Sequence, residues 1–103
     1  MNLRDLQYLV AVADEQHIGK AAKACNVSQP TLSIQLKKLE DTLGVALFER
    51  LHKSIRLTSA GEQVVQRARL ITQEAQALIS LARSLQDPLA GEFRLGAFPT
   101  LAP

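Results

Sequence analysis

Residues Ala21 to Ser33, which read AAKACNVSQPTLS, constrain this chain more than any other stretch. Two adjacent alanines in a short helical run leave room for another helix to approach its backbone. Asn26 tolerates the left-handed conformation that a sharp break requires. Ser28 can then cap a second helix by accepting from the free N–H groups of its first turn, and Pro30 falls inside that turn, where a missing N–H costs nothing. A small-sided helix, a tight turn and a capped helix outline a helix-turn-helix and point to duplex DNA as the partner.

The flanking sequence completes the architecture. Leu3, Leu6, Leu9, Val10 and Ala13 recur at helical spacing and predict a first helix from Leu3 to about Asp14. A second helix is expected from about Ile18 to Cys25, and a third from Gln29 to Leu43, stopped by Gly44. On a helical wheel Leu32, Leu36, Leu39 and Leu43 share the core-facing side of the third helix. Ala46 to Arg50 and Ile55 to Leu57 read as two short strands of a hairpin. The expected fold is therefore mainly α, a winged helix-turn-helix with a two-stranded wing.

Thr58 is a plausible N-cap, and from Ser59 to Gln86 there is no proline and one glycine, Gly61, which predicts a single long helix. Val64, Ala68, Ile71, Ala75, Leu78, Ala82 and Leu85 follow alternating spacings of four and three, the seam of a dimerising linker helix. A helix packed along its own domain fits the same pattern. After Asp87 and Pro88, Phe93 and Leu95 alternate with Glu92 and Arg94 as in a half-buried strand that lacks partners. The expected organisation is a DNA-binding domain over 1–58, a linker helix over 59–87, and a hinge with the first strand of a further domain over 88–103.

A chain of 103 residues with 47% apolar content can bury one modest core. No apolar run approaches the length of a membrane span, and the first residues carry Arg4 and Asp5 without a signal-peptide pattern, so a cytoplasmic protein is expected. The single Cys25 cannot form an internal disulfide and makes no zinc spacing with His17 and His52. No metal or cofactor is expected. The acidic residues, two histidines and one cysteine form no nucleophile-base motif, and no Gly-rich phosphate loop is present, which argues against an enzyme. The formal charge of +2 says little, but its distribution is local. Between Lys20 and Thr58, Lys20, Lys23, Lys37, Lys38, Arg50, Lys53 and Arg56 face only Glu40, Asp41 and Glu49.

The N-terminal end of the third helix is the part that enters the major groove in helix-turn-helix proteins. Gln29, Pro30, Ser33 and Ile34 are accordingly the candidates for base edges: Gln29 can pair its amide with adenine, while Pro30 and Ile34 can meet a thymine methyl. Ile34 is equally readable as a scattered surface apolar residue. Ser28, Thr31, Lys37 and Lys38 suit phosphates, and on the wing Arg50, His52, Lys53 and Arg56 suit the backbone or the minor groove. Capping alone would account for Ser28. His17 reads as a capping or packing residue, and Cys25 as core filler. A helical dimerisation or interaction module without specific DNA binding would explain the heptads but not the basic wing.

The sequence also resembles the LysR-type transcriptional regulators. The resemblance is carried by Leu6-Gln7-Tyr8-Leu9, Ala21-Ala22, Val27-Ser28-Gln29-Pro30-Thr31-Leu32-Ser33, Leu39-Glu40, Leu43-Gly44-Val45, Leu47-Phe48-Glu49-Arg50 and Leu57-Thr58-Ser59-Ala60-Gly61. It covers about Met1 to Gln86, and Gly91 to Pro103 resembles the hinge and first strand of the family's effector domain. Met1 to Leu6, Cys25 ahead of Val27-Ser28, and Leu95 to Thr100 are most similar to the family's peroxide-sensing branch, whose redox cysteines lie in the effector domain. The resemblance implies a homodimer that binds double-stranded DNA, with tetramers for a full-length protein. Many members carry Arg where this sequence has Ile34 and Lys53, so their groove contacts do not transfer unchanged.

Overall fold

The computed structural model describes residues 1–52 and 54–86. Element order is α1 (Leu3–Glu15), α2 (Ile18–Ala24), α3 (Gln29–Leu43), β1 (Phe48–Arg50), β2 (Ile55–Leu57) and α4 (Ser59–Gln86). The two strands form an antiparallel hairpin with Phe48 opposite Leu57, Glu49 opposite Arg56 and Arg50 opposite Ile55. This is a winged helix-turn-helix followed by a long helix. A compact unit spans Met1–Thr72; a second, Gln73–Pro103, is described only through its helical part up to Gln86. The expected strand over Glu92 to Leu95, the 88–103 segment and Lys53 lie outside the described residues.

Caps set the helix boundaries. Asn2 accepts from the Asp5 N–H while Asp5 accepts from the Asn2 N–H, a reciprocal capping box at the start of α1. His17 caps α2 through Nδ1, which accepts from the Lys20 N–H at 3.0 Å. Ser28 caps α3 by accepting from the Thr31 N–H, and Gly44 ends it in the left-handed conformation at φ 75°. Asn26, at φ 61°, makes the tight break between α2 and α3.

The core of the compact unit is two clusters joined by α1. Tyr8 and Val12 of α1 meet Ala21, Ala22, Leu32, Leu36 and Ile55 in the first, and Leu6 and Leu9 meet Leu39, Leu47, Val65 and Ala68 in the second. Phe48 packs against both. Helix α1 thus buries two stripes. A one-stripe reading misses Tyr8 and Val12 and wrongly includes Leu3, which is exposed. Leu43 departs from the wheel expectation too: beside the Gly44 cap it is 37% exposed.

Leu47 is the joint of the second cluster. Its side chain is fully buried, its N–H donates to Glu40, and its carbonyl accepts from the Thr58 N–H at 2.9 Å. The Leu47 N–H is diverted to Glu40, and the paired strand runs from Phe48 rather than from Ala46 as expected. Thr58 caps α4 as expected: its hydroxyl oxygen accepts from the Gly61 N–H at 2.9 Å and donates to the Ala46 carbonyl at 2.6 Å. Gly61 then passes directly over Leu47. A Cβ there would lie 2.1 Å from the Leu47 carbonyl oxygen, so only glycine allows α4 to approach this closely.

The expected dimer seam requires a correction at its start. Ala68 is 1% exposed inside the domain's own core and so presents no face to a partner, while Val64 is half-buried at the edge of that core. From Ile71 onward the seam positions are open: Ile71 is 48% exposed, Leu78 is 66% exposed, and Ala82 and Leu85 are exposed, with Ala75 half-buried. Leu70, Ile79 and Leu81 are exposed alongside them.

Candidate nucleic-acid interface

The first turn of α3 offers side chains rather than backbone. Pro30 has no N–H, the Thr31 N–H is taken by Ser28, and the Leu32 N–H bonds to the Ser28 carbonyl, which leaves the Gln29 N–H as the remaining backbone donor of that turn. Gln29, Pro30 and Thr31 are exposed. Ser28 donates from its hydroxyl to the Thr31 hydroxyl oxygen at 2.9 Å, so the Thr31 proton is free to point outward. One turn further on, Ile34 is 54% exposed while Ser33 is half-buried. Leu32 and Leu36 hold the opposite side of the helix in the core, and this fixes which face α3 presents.

The hairpin is anchored close to this turn. The Leu51 N–H donates to the Ser54 carbonyl to close the tip, and the Ile55 N–H donates to the carbonyl of Gln16, the residue that caps α1. A shallow groove of about 490 Å³ separates wing from helices, lined by His17, Ile18, Gln29, Arg50, His52 and Ile55 among others. It brings Gln29 of the expected base-reading set together with Arg50 and His52 of the wing set. A second depression, of about 450 Å³, places Lys23 beside Asn26, Ser28 and Gln29.

Electrostatically the three acids of this region are all engaged. Glu40 accepts from two backbone N–H groups, Asp41 lies 3.6 Å from Lys37, and Glu49 lies 3.1 Å from Arg56. The pairs with Lys37 and Arg56 are solvated and weak, each worth at most about 1 kcal/mol, yet they direct those cations toward carboxylates. Among the described residues Lys20, Lys23, Lys38 and Arg50 make no ion pair. Arg56 is thus a less free cation than the sequence suggests, because cross-strand pairing sets Glu49 directly opposite it. Sequence reasoning did not single out Lys23, whose place beside Ser28 follows from the turn at Asn26. It also missed that the Gln29 amide lies where a Cβ at residue 19 would crowd it, which periodicity cannot reveal.

Cys25 is half-buried against the first core cluster, and burial raises its thiol pKa while Arg4 pulls it down. Among the described residues there is no cluster of His, Cys, Asp and Glu that could hold a metal ion, and no helix is long and apolar enough to cross a membrane.

Comparison with known proteins agrees with the fold. The chain is 45% identical over 103 residues to the DNA-binding transcriptional dual regulator OxyR of Escherichia coli K12, covering all of this chain and 34% of that protein. It superposes on full-length OxyR of Pseudomonas aeruginosa with a TM-score of 0.81 at 48% identity, covering 86% of this chain and 30% of that one. On the CbnR DNA-binding domain in complex with DNA the TM-score is 0.77 at 39% identity, covering 84% of this chain and all of that one. The chain spans about a third of the length of the curated relatives it matches. The model of the bacterial regulatory helix-turn-helix protein, lysR family, matches residues 3–62, and the chain belongs to that family.

Proposed function

We propose that this chain is the DNA-reading and pairing module of a peroxide-responsive transcriptional regulator. The observation that carries the reading is the exposed first turn of α3, with Gln29, Pro30 and Ile34 on its open face, set across a groove from Arg50 and His52 of the wing. Gln29 reads a base edge through its amide, and Pro30 and Ile34 meet thymine methyls, with Ser33 at the margin of the contact. Ser28, Thr31, Lys37, Lys38, Arg50, His52, Lys53 and Arg56 hold the phosphate backbone or the minor groove. The open apolar positions of α4 from Ile71 to Leu85 support pairing with a second copy, so the DNA site consists of two half-sites. The peroxide response is inferred from relatives called hydrogen peroxide-inducible genes activators.

Selection of bound sites from random duplexes, followed by two variants, tests this reading. Gln29→Ala should lower affinity for the selected site by about 1–3 kcal/mol and leave binding to random DNA nearly unchanged. Lys37→Ala should weaken both equally and flatten the dependence of log affinity on log salt by roughly one per protomer. Unaltered base preference in the first variant, together with a parental salt slope in the second, would remove α3 as the reading element.

A further inference from the structure

We infer that Gly19 is a specificity-determining position, because its missing side chain leaves the Gln29 amide a seat that a Cβ would crowd. The inference rests on the reading of Gln29 as a base contact. Gly19 lies in the first turn of α2, where alanine would ordinarily favour the helix, so a glycine there works against local stability. The close approach explains it. A Cβ at this position would stand 3.1 Å from Nε2 of Gln29 and 3.0 Å from Cε1 of His17, tighter than ordinary van der Waals contact.

The two neighbours do not yield equally. The His17 ring is held by its own bond, Nδ1 accepting the Lys20 N–H at 3.0 Å, and moving it would uncap α2. Gln29 is exposed and its terminal amide makes no hydrogen bond among the described residues. A Cβ at Gly19 therefore displaces the Gln29 amide, while its 3.0 Å approach to the fixed His17 ring remains and falls on the α2 cap. Bidentate recognition of a base needs the amide plane held within about half an ångström, and a displacement of a few tenths spends most of that tolerance. Side-chain size at position 19 thus sets how well Gln29 is aimed, although Gly19 itself touches no DNA.

The test uses the whole chain, a duplex selected from random sequence and a panel of its single-base substitutions. Gly19→Ala, Gln29→Ala and the double variant are compared by affinity, salt slope and thermal melting. Gly19→Ala should lose roughly 3- to 10-fold of preference at the base pair that Gln29→Ala affects, with binding to random DNA and the salt slope unchanged, while the crowding of His17 shows separately as a lower melting temperature that the Gln29→Ala background does not relieve. In the Gln29→Ala background it should have no further effect on preference, since the group it displaces is gone. Full preference in Gly19→Ala, or a loss of preference that persists in the double variant, overturns the seat while leaving Gln29 as a reader. Full preference in Gln29→Ala overturns the reading of Gln29, and the seat with it.

Discussion

One carboxylate oxygen of Glu40 in α3 accepts the backbone N–H of Leu47 at 2.7 Å, and the same oxygen accepts that of Phe48 at 3.2 Å. The side chain that anchors the wing therefore comes from the helix whose first turn is the proposed DNA reader, and wing and helix are held to one another. Bonds of this kind between a carboxylate and backbone N–H groups are stronger than neutral ones. Glu40→Gln keeps one acceptor but loses the charge, and a loss of about 1 kcal/mol is expected in urea unfolding. Glu40→Leu strands two partly buried N–H groups and should cost about 1–3 kcal/mol for each. If Glu40→Leu unfolds at the parental urea midpoint, the strut contributes nothing.

The two glycines that flank the wing should fail for different reasons. Gly61→Ala forces a methyl group into the Leu47 carbonyl, where the space does not exist, and the overpacking should cost about 1–3 kcal/mol or more. Gly44 has nothing within 4 Å of a Cβ, so Gly44→Ala meets only the penalty of φ 75°, about 1 kcal/mol, and Gly44→Asn should recover part of it. Gly61→Asn should recover nothing. Thermal melting of the four variants separates a spatial cause from a backbone one.

Features that depend on chain-local chemistry were legible in the sequence. Ser28, Gly44, Asn26 and Thr58 act within a few residues of themselves, and all four sit where capping and turn chemistry put them. Features that depend on tertiary partners were not. Heptad spacing treats Ala68 and Ile71 alike, yet one is sealed in the domain's core and the other is open, because α4 is apposed to Leu47 only along its first turns. Tyr8 and Val12 fall off the expected stripe because α1 stands between two clusters. Nothing in the sequence marks Glu40 as the partner of backbone seven and eight residues away, or residue 19 as a place where a Cβ would crowd the Gln29 amide.

Cys25 should be a slow thiol. Burial disfavours its thiolate and the Arg4 charge opposes this only in part, so its pKa stands above the ordinary value. Since the protonated form is favoured in the folded state, this group contributes stability in full below the ordinary thiol pKa and loses it as pH rises through the raised value. Alkylation by iodoacetamide should be slower than for a free thiol at neutral pH and rise only in the alkaline range, and Arg4→Gln should slow it further. Reaction at neutral pH as fast as that of an exposed thiol would contradict the assignment.

The α4 face can be divided by two charges placed three helical turns apart. Ala68→Glu puts a carboxylate among Leu6, Leu9, Leu39, Leu47 and Val65, with no cation in that cluster to receive it, and should unfold the domain or lower its melting temperature steeply. Leu78→Glu puts the same charge on a residue that is 66% exposed, where the isolated chain loses nothing by accepting it. If the open positions from Ile71 to Leu85 form the pairing face, Leu78→Glu combined with Ile71→Glu should yield a folded monomer, with far-ultraviolet dichroism of the helical domain retained and a sedimentation coefficient that no longer rises with concentration. Its affinity for a single half-site should equal that of the parent, while the advantage of two correctly spaced half-sites disappears, because only linked protomers bind the second half-site as an intramolecular event. A double variant that still sediments as a dimer would move the pairing surface elsewhere. One that unfolds as Ala68→Glu does would mean that these open positions are needed to keep the domain itself folded.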